Sequence, residues 1–338
     1  MNLNDLGEFG VIEKLRKKIR IKRKEVLLGI GDDAAVCRGS AGDYVYTTDT
    51  LIEKIHFQKE LIPPFSLGWK ACAVNLSDIA AMGARPLYLL ISLSLSDKTR
   101  MSWVDDLYEG LLRLSSLHDT DIIGGDFTGT PGPAVIGITA VGRCKEGGAV
   151  LRMNTSPGEL IGVTGTLGDS ACGCAILLRD GKKRPQGLKE GDLLYLTERH
   201  MKPEPRVAEG AALGEEGLCS SMIDISDGLV KSLFLLNKEG CGALINEEAL
   251  PLSESLRNFT SSRKMSFSSP ALYGGEDYEL LFSFPKDKLG RIESVFGELG
   301  TRFTVIGEVT DKRGVLLREN GGEIKSLKEG GYDHFRKE

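Results

Sequence analysis

The sequence predicts a two-domain protein of α/β class, with helices set against mixed (α+β) sheets. Three observations carry this expectation. The chain has 338 residues, against about 150 for an average domain. Runs rich in β-branched and aromatic residues alternate with segments of helical 3–4 spacing. The alternation pauses at Lys145-Glu146-Gly147-Gly148, which sets the expected boundary between residues 1–148 and 149–338.

From the N-terminus, residues 26–29 and 43–50 read as strands, the second for its β-branched and aromatic content. Pro63-Pro64 halts the chain before a helix over 66–82, where Ala71, Cys72, Val74, Asn75, Asp78, Ala81 and Met82 recur at 3–4 spacing. Residues 87–95 alternate as a strand does. Residues 102–117 make an amphipathic helix with Ser102 as its expected N-cap, and 121–125 and 134–143 are further strands. Past the boundary, a strand over 160–164 leads to a helix from Asp169, then to a charged, glycine-containing loop over 179–192. A strand ending at Ser226, a helix after Gly228 and strands over 278–284 and 303–309 complete the order. No repeat of fixed period appears.

Composition narrows the function. Hydrophobic residues at 41% and charged residues at 27% suit a globular chain. A net charge of −5 leaves no basic excess to neutralise nucleic acid or an anionic membrane. The one basic run, RKKIRIKRK over 16–24, spaces its charges around Ile19 and Ile21 and reads as a solvated helix face or a nucleic-acid arm. The N-terminal segment has no secretory apolar core, and no stretch approaches the ~20 apolar residues of a membrane span. Seven scattered cysteines suit reduced thiols, so a cytoplasmic location is expected. Cys172 and Cys174 read as small packing residues or as a metal pair.

The aspartates are the informative feature. Asp32 and Asp33 lie in GIGDDAA, Asp49 in TTDTLIEKIHF, Asp78 in NLSDIAAMGA, Asp126 in IIGGDFT, and Asp224 and Asp227 in DISDGL. Each sits among small or apolar residues, at strand ends or on a helix, where α/β proteins gather ligands. Two carboxylates about 4 Å apart repel by about 4 kcal/mol at an effective dielectric near 20. If they converge they need cations, and oxygen ligands of this kind suit Mg²⁺ with phosphates completing its shell. The alternative is that each aspartate is a cap or turn residue. His56, seven residues beyond Asp49, is a ligand or a structural histidine.

Other nucleotide and catalytic signatures fail. There is no phosphate-binding G-x-x-x-x-G-K-[ST] loop. Gly29 to Ala34 matches G-x-G-x-x-A, but residues 37–42 are too short and turn-rich for the helix that a dinucleotide site requires. Two carboxylates in that loop would also repel a pyrophosphate. No serine sits in a G-x-S-x-G elbow.

GEFGVI (7–12), GIGDDAAV (29–36), TTDTLIEKIHF (47–57), KACAVNLSDIAAMGARP (70–86), IIGGDFT (122–128), VTGTLGDSACG (163–173), IDISDGL (223–229), GGEDYELLF (274–282) and GYDHF (331–335) occur in one order. Together they resemble the thiamine-monophosphate kinase family, from about residue 7 to 335. That family belongs to a superfamily with aminoimidazole ribonucleotide synthetase, selenophosphate synthetase and the hydrogenase-maturation carbamoyl dehydratase. GEFGVI lacks the Cys or Lys of the selenophosphate branch.

The resemblance implies a two-domain, aminoimidazole-ribonucleotide-synthetase-like architecture. The first domain would bind metal and ATP and form a homodimer through its sheet; the second would complete the cleft. It implies Mg²⁺ ligands at Asp33, Thr47, Thr48, Asp49, Asp78, Asp126, Asp224 and Asp227, and nucleotide contacts at Tyr108, Gly125, Asp126, Arg152 and Ser226. It also implies contacts to thiamine monophosphate at His56, Glu276 and Tyr332. Asp49, Asp78 and Asp126 would hold the metals that bridge ATP and acceptor. Phe127, Met153-Asn154, Cys172 and Cys174 depart from the family pattern without removing a charged ligand. The expected reaction is direct in-line transfer from ATP to the phosphate of thiamine monophosphate. The alternatives are a non-catalytic ATP-binding member of the superfamily or an enzyme with another substrate.

Overall fold

The computed structural model describes residues 12–13, 24–29, 31–180, 187–237, 240–332 and 334. The basic run over 16–24 lies outside them except for Lys24, and the GEFGVI block except for Ile12.

The first sheet has six strands, β1 (Val26–Leu28), β2 (Ala35–Gly39), β3 (Gly42–Ile52), β4 (Arg85–Leu95), β5 (Asp121–Gly129) and β6 (Val135–Cys144), in the order β1-β2-β3-β6-β4-β5. Only β4 and β5 run parallel; the other neighbours are antiparallel. Side chains alternate between the faces. On β3, Val45, Thr47 and Leu51 are buried, whereas Tyr46, Thr48 and Thr50 are exposed. The buried face carries helices α1 (Pro64–Ala81) and α2 (Met101–Leu117). Among the described residues the other face is exposed, as at Tyr46, Thr48 and Leu90. Residues 37–42 belong to the antiparallel β2–β3 pair and supply no helix.

α1 begins two residues earlier than the periodicity suggests, because Pro64 fits the first helical turn, where no donor is needed. Its buried residues run round the whole helix and include Lys70, Asn75 and Ser77 as well as the apolar ones, as befits a helix enclosed on all sides. It packs on the first sheet, on α2, and on α5 (Val207–Glu216) and β8 (Ser221–Asp224) of the second half. The approach to α2 is close at Gly68 and Gly110. A Cβ on Gly68 would lie 1.9 Å from the Leu107 carbonyl oxygen. α2 starts at Met101 after Arg100, with no side-chain cap, so the expected Ser102 cap is not made.

The second sheet has seven strands in the order β13-β12-β9-β11-β7-β10-β8. They are β7 (Leu160–Thr164), β8, β9 (Gly242–Asn246), β10 (Leu280–Phe284), β11 (Phe303–Thr310), β12 (Gly314–Arg318) and β13 (Ile324–Leu327). All five residues of β10 are buried, the mark of a strand covered on both faces. On one side Phe282 stacks with Phe296 and Phe303 and joins the core that runs through α1 to the first sheet. On the other, Ile161, Val163 and Leu281 pack under α3 (Asp169–Asp180), α4 (Glu190–Met201), α6 (Leu229–Leu236), α7 (Glu254–Ser262) and α8 (Ser268–Tyr273). α9 (Leu289–Leu299) supplies Phe296. The expected loop over 179–192 overlaps the end of α3 and the start of α4. The first sheet ends at Cys144 and the second begins at Leu160.

Candidate active site

A cleft of about 1550 Å³ opens along α1 and is lined by Asp32, Asp33, Asp49, Asp78, Arg152, Asp224 and Asp227 at one end. His56, His200, Glu276, Tyr332 and His334 line its other end. Local structure places each acid. Asp33 sits in the turn between β1 and β2. The two-residue period of β3 turns Thr47 and Asp49 toward α1. Asp78 projects from α1, and Asp224 ends β8.

Carboxylate oxygens of Asp33, Asp78 and Asp224 lie within 4.8 Å of one another. The Thr47 hydroxyl donates to Asp78 Oδ2 at 2.6 Å, and the Ser77 hydroxyl to Asp224 Oδ2 at 2.8 Å. The Ser226 hydroxyl donates to the other Asp224 oxygen at 3.4 Å, and the Asp49 amide to Asn75 Oδ1 at 3.2 Å. Burial, then the charge of Asp33, pushes Asp224 up to about 8. Burial and the neighbouring Asp49, Asp224 and Asp33 raise Asp78 well above the carboxylate range. Burial and Asp33 lift Asp32 to about 6. Arg152 answers part of this charge. Its Nη2 pairs with Asp33 Oδ1, its Nε donates to Asp33 Oδ2 at 2.9 Å, and its backbone amide donates to Asp32 at 3.1 Å. Burial works against the guanidinium charge, but Asp33 outweighs it and holds the pKa above its ordinary value.

Asp78 and Asp224, driven toward protonation by burial and by neighbouring carboxylates, cluster with Asp33 in a donor set that fits a divalent cation, which would relieve both effects. Asp49 faces the same group. Asp227 stands nearer solvent, paired with Lys231 at 2.7 Å.

At the other end, His56 accepts the Ile52 amide at Nδ1, and its Nε2 lies 3.4 Å from His334 Nε2. The His334 ring meets His56 and Tyr332 edge-on, each at 4.9 Å between centroids. Glu276 is held between Lys70 Nζ, 2.7 Å from Oε1, and His200 Nδ1, 3.3 Å from Oε2. Sequence reasoning singled out neither Lys70 nor His200 nor His334. A lysine inside the apolar KACAVNL segment was the available signal for the first; nothing local marks His200.

Of four further expected ligands, Thr48 lines the cleft but turns its hydroxyl away from the acidic cluster, and the other three stand elsewhere. The Thr48 hydroxyl points to the open face and donates to the Ile138 carbonyl at 3.0 Å, because it alternates with Thr47. Asp126 pairs across β5 and β4 with Ser92, also on the open face. From β3 it is three strands away, about 14 Å at ~4.8 Å per strand. One protomer therefore does not bring Asp126 to Asp49 and Asp78. Tyr108 on α2 and Gly125 on β5 likewise do not line the cleft.

Two mixed sheets facing a shared acidic cleft define a protein of the AIR synthase related class. The N-terminal domain of that family matches residues 31–144, and its C-terminal domain 156–318. The thiamine-monophosphate kinase of Escherichia coli K12 is 40% identical over 332 residues, covering 97% of this chain and 98% of that one. The enzyme of that name from Bacillus subtilis strain 168 is 32% identical over 339 residues, covering 98% and 100%. A solved structure of AaThiL complexed with AMPPCP and TMP superposes with a TM-score of 0.85 at 32% identity, covering 99% of both chains. The chain belongs to the thiamine-monophosphate kinase family.

Proposed function

We propose that this protein transfers the γ-phosphoryl group of ATP to thiamine monophosphate, giving thiamine diphosphate and ADP. The observation that carries the reading is the cluster of buried Asp224 with partly buried Asp33 and Asp78 at one end of a cleft whose other end presents an aromatic and acidic surface. Asp33, Asp49, Asp78 and Asp224, backed by Thr47, would hold Mg²⁺, with Asp227 at the rim. Bound there, Mg²⁺ supplies the charge neutralisation that lets two phosphates approach. The acceptor is a phosphate oxygen already ionised at neutral pH, so the chain needs no strong general base. Arg152 and Ser226 stand on the nucleotide side, while His56, Glu276 and Tyr332 face the thiamine.

With ATP and Mg²⁺, thiamine monophosphate is expected to drive ADP formation, and free thiamine to do so on the order of 100-fold more slowly or worse. A hydroxyl acceptor would need a base, and the cleft's aspartates are committed to the metal. A side-by-side assay at equal concentration decides this; comparable rates would overturn the reading.

We also place two copies in the functional unit. Tyr46, Tyr88 and Leu90 on the open face of the first sheet are each about 40% exposed (41%, 39% and 40%), the kind of apolar patch that marks an interface. Through the partner copy, β5 would bring Asp126 and Gly125 to the other protomer's cleft. Asp126→Asn and Asp78→Asn are then each inactive alone. Mixed one to one after subunit exchange, they should regain about a quarter of wild-type activity, since half the dimers are mixed and each holds one intact site. No recovery from two folded, exchanging variants would remove Asp126 from the shared site. Among the described residues no helix is long and apolar enough to cross a membrane. The seven cysteines are unbridged, which supports a reducing, cytoplasmic setting.

A further inference from the structure

Lys70 is wholly buried on α1 and does not line the cleft. Its ammonium is nevertheless spent on the cleft. Nζ lies 2.7 Å from Glu276 Oε1 and 3.5 Å from His200 Nε2. His200 Nδ1 lies 3.3 Å from Glu276 Oε2 and 3.2 Å from the Ser170 hydroxyl. Burial, then Lys70, drives His200 down to about 3, so the ring is neutral. A lysine can only donate, which makes Nε2 the acceptor and places the ring proton on Nδ1, directed at Glu276 and Ser170. Lys70, His200 and Glu276 thus close a ring in which each carboxylate oxygen has its own donor.

The backbone under Glu276 is held with equal care. Its φ is +64° and that of Tyr278 is +51°, left-handed conformations that cost a non-glycine residue about 1–3 kcal/mol. The Glu276 amide donates to the Ser226 carbonyl at 2.6 Å and the Tyr278 amide to Ile225 at 3.0 Å. Between them, buried Asp277 accepts the amides of Gly168 and Ser170. Such over-determination exposes one edge of a single carboxylate, 30% accessible, to the cleft.

We propose that Lys70, acting with His200, is a positioning residue that fixes Glu276 as an ionised, directed acceptor for the thiamine end of the substrate. This rests on the reading of Glu276 as a substrate contact. Lys70 comes from the first domain's helix and Glu276 from the second domain's loop, so the acceptor is assembled only where the two halves meet. Because the carboxylate is already balanced by Lys70, substrate meets a hydrogen-bonding direction and little net charge.

The test is a kinetic cycle with Lys70→Met, Glu276→Gln and the double variant. KM for thiamine monophosphate should rise about tenfold or more in each single variant, with kcat and the KM for ATP within about twofold of wild type. The double variant should show no further rise over Glu276→Gln, since Lys70 acts only through that carboxylate. Equal losses for ATP and thiamine monophosphate, a fall in kcat alone, or an additive double variant would overturn the proposal. Should Lys70→Met not fold, the double variant removes the buried pair together. Its KM set against that of Glu276→Gln then decides alone: equality supports the role and a further rise ends it. Turnover of thiamine monophosphate by wild type tests the activity itself, separately from Lys70.

Discussion

In buffer free of divalent metal, Asp78→Asn is expected to be more stable than the wild type by roughly 1–3 kcal/mol at pH 8, since it removes a crowded, partly buried charge. It is also expected to lose on the order of 10²–10³ in kcat, the usual cost of deleting one preorganised electrostatic group. The Thr47 hydroxyl can donate to the amide oxygen as it does to Asp78 Oδ2, so shape is preserved and only charge changes. The pH dependence follows from linkage. Asp78 and Asp224 have folded-state pKa values raised above their unfolded ones, Asp224 to about 8. Their contribution is fully present below the unfolded carboxylate pKa and is lost as pH rises toward 8. Metal-free wild type should therefore melt at progressively lower temperature from pH 5 to 8. Asp78→Asn should flatten that slope, and Mg²⁺ should restore the wild type far more than the variant. Thermal melts at several pH values with and without Mg²⁺ measure this. A wild-type midpoint indifferent to both would mean that the carboxylates do not crowd one another.

Removal of the compensating cation should act in the opposite sense. Arg152→Met removes the guanidinium that pairs with Asp33 and whose Nε lies 3.5 Å from Asp32 Oδ1, and leaves Asp32 only the backbone amide. Breaking such a pair by removing one member costs about 3–5 kcal/mol. Urea unfolding in metal-free buffer at neutral pH should show a loss of that size, and Mg²⁺ should return a large part of it by taking over the neutralisation of Asp33. The restored variant should still show a raised KM for ATP. A loss below about 1 kcal/mol, or one that Mg²⁺ leaves unchanged, would mean that Arg152 does not offset the cluster.

Several elements were legible because their signals are local. The helix over 66–82 became α1, moved two residues upstream by Pro64. The strand over 160–164 is β7. Other elements were hidden. The end of β2 lies in the stretch over 37–42 read as turn-rich, because a five-residue strand ending in Gly39 carries little strand signal until β3 pairs with it. α4 to α9 include helices with weak apolar faces or short length, such as α8 of six residues, whose formation depends on packing.

The same division holds for the site. Sequence alone determined the chemistry available: seven aspartates in small or apolar surroundings, no phosphate loop, no nucleophile elbow, and an ordered set of blocks that resemble one family. Those properties reside in residue type and spacing, which need no third dimension. Only tertiary structure decided which groups meet. Thr47 and Thr48 are neighbours in the chain, yet the pleat sends one hydroxyl to Asp78 and the other to the open face. Asp126 shares the family pattern with Asp49 and Asp78 but stands three strands away on the opposite face. Lys70, His200 and Glu276, separated by 130 and 76 positions along the chain, close one ring because α1 is enclosed by both domains. Contacts of that kind depend on sheet order and helix packing, which couple distant segments and leave no mark in any short stretch of sequence.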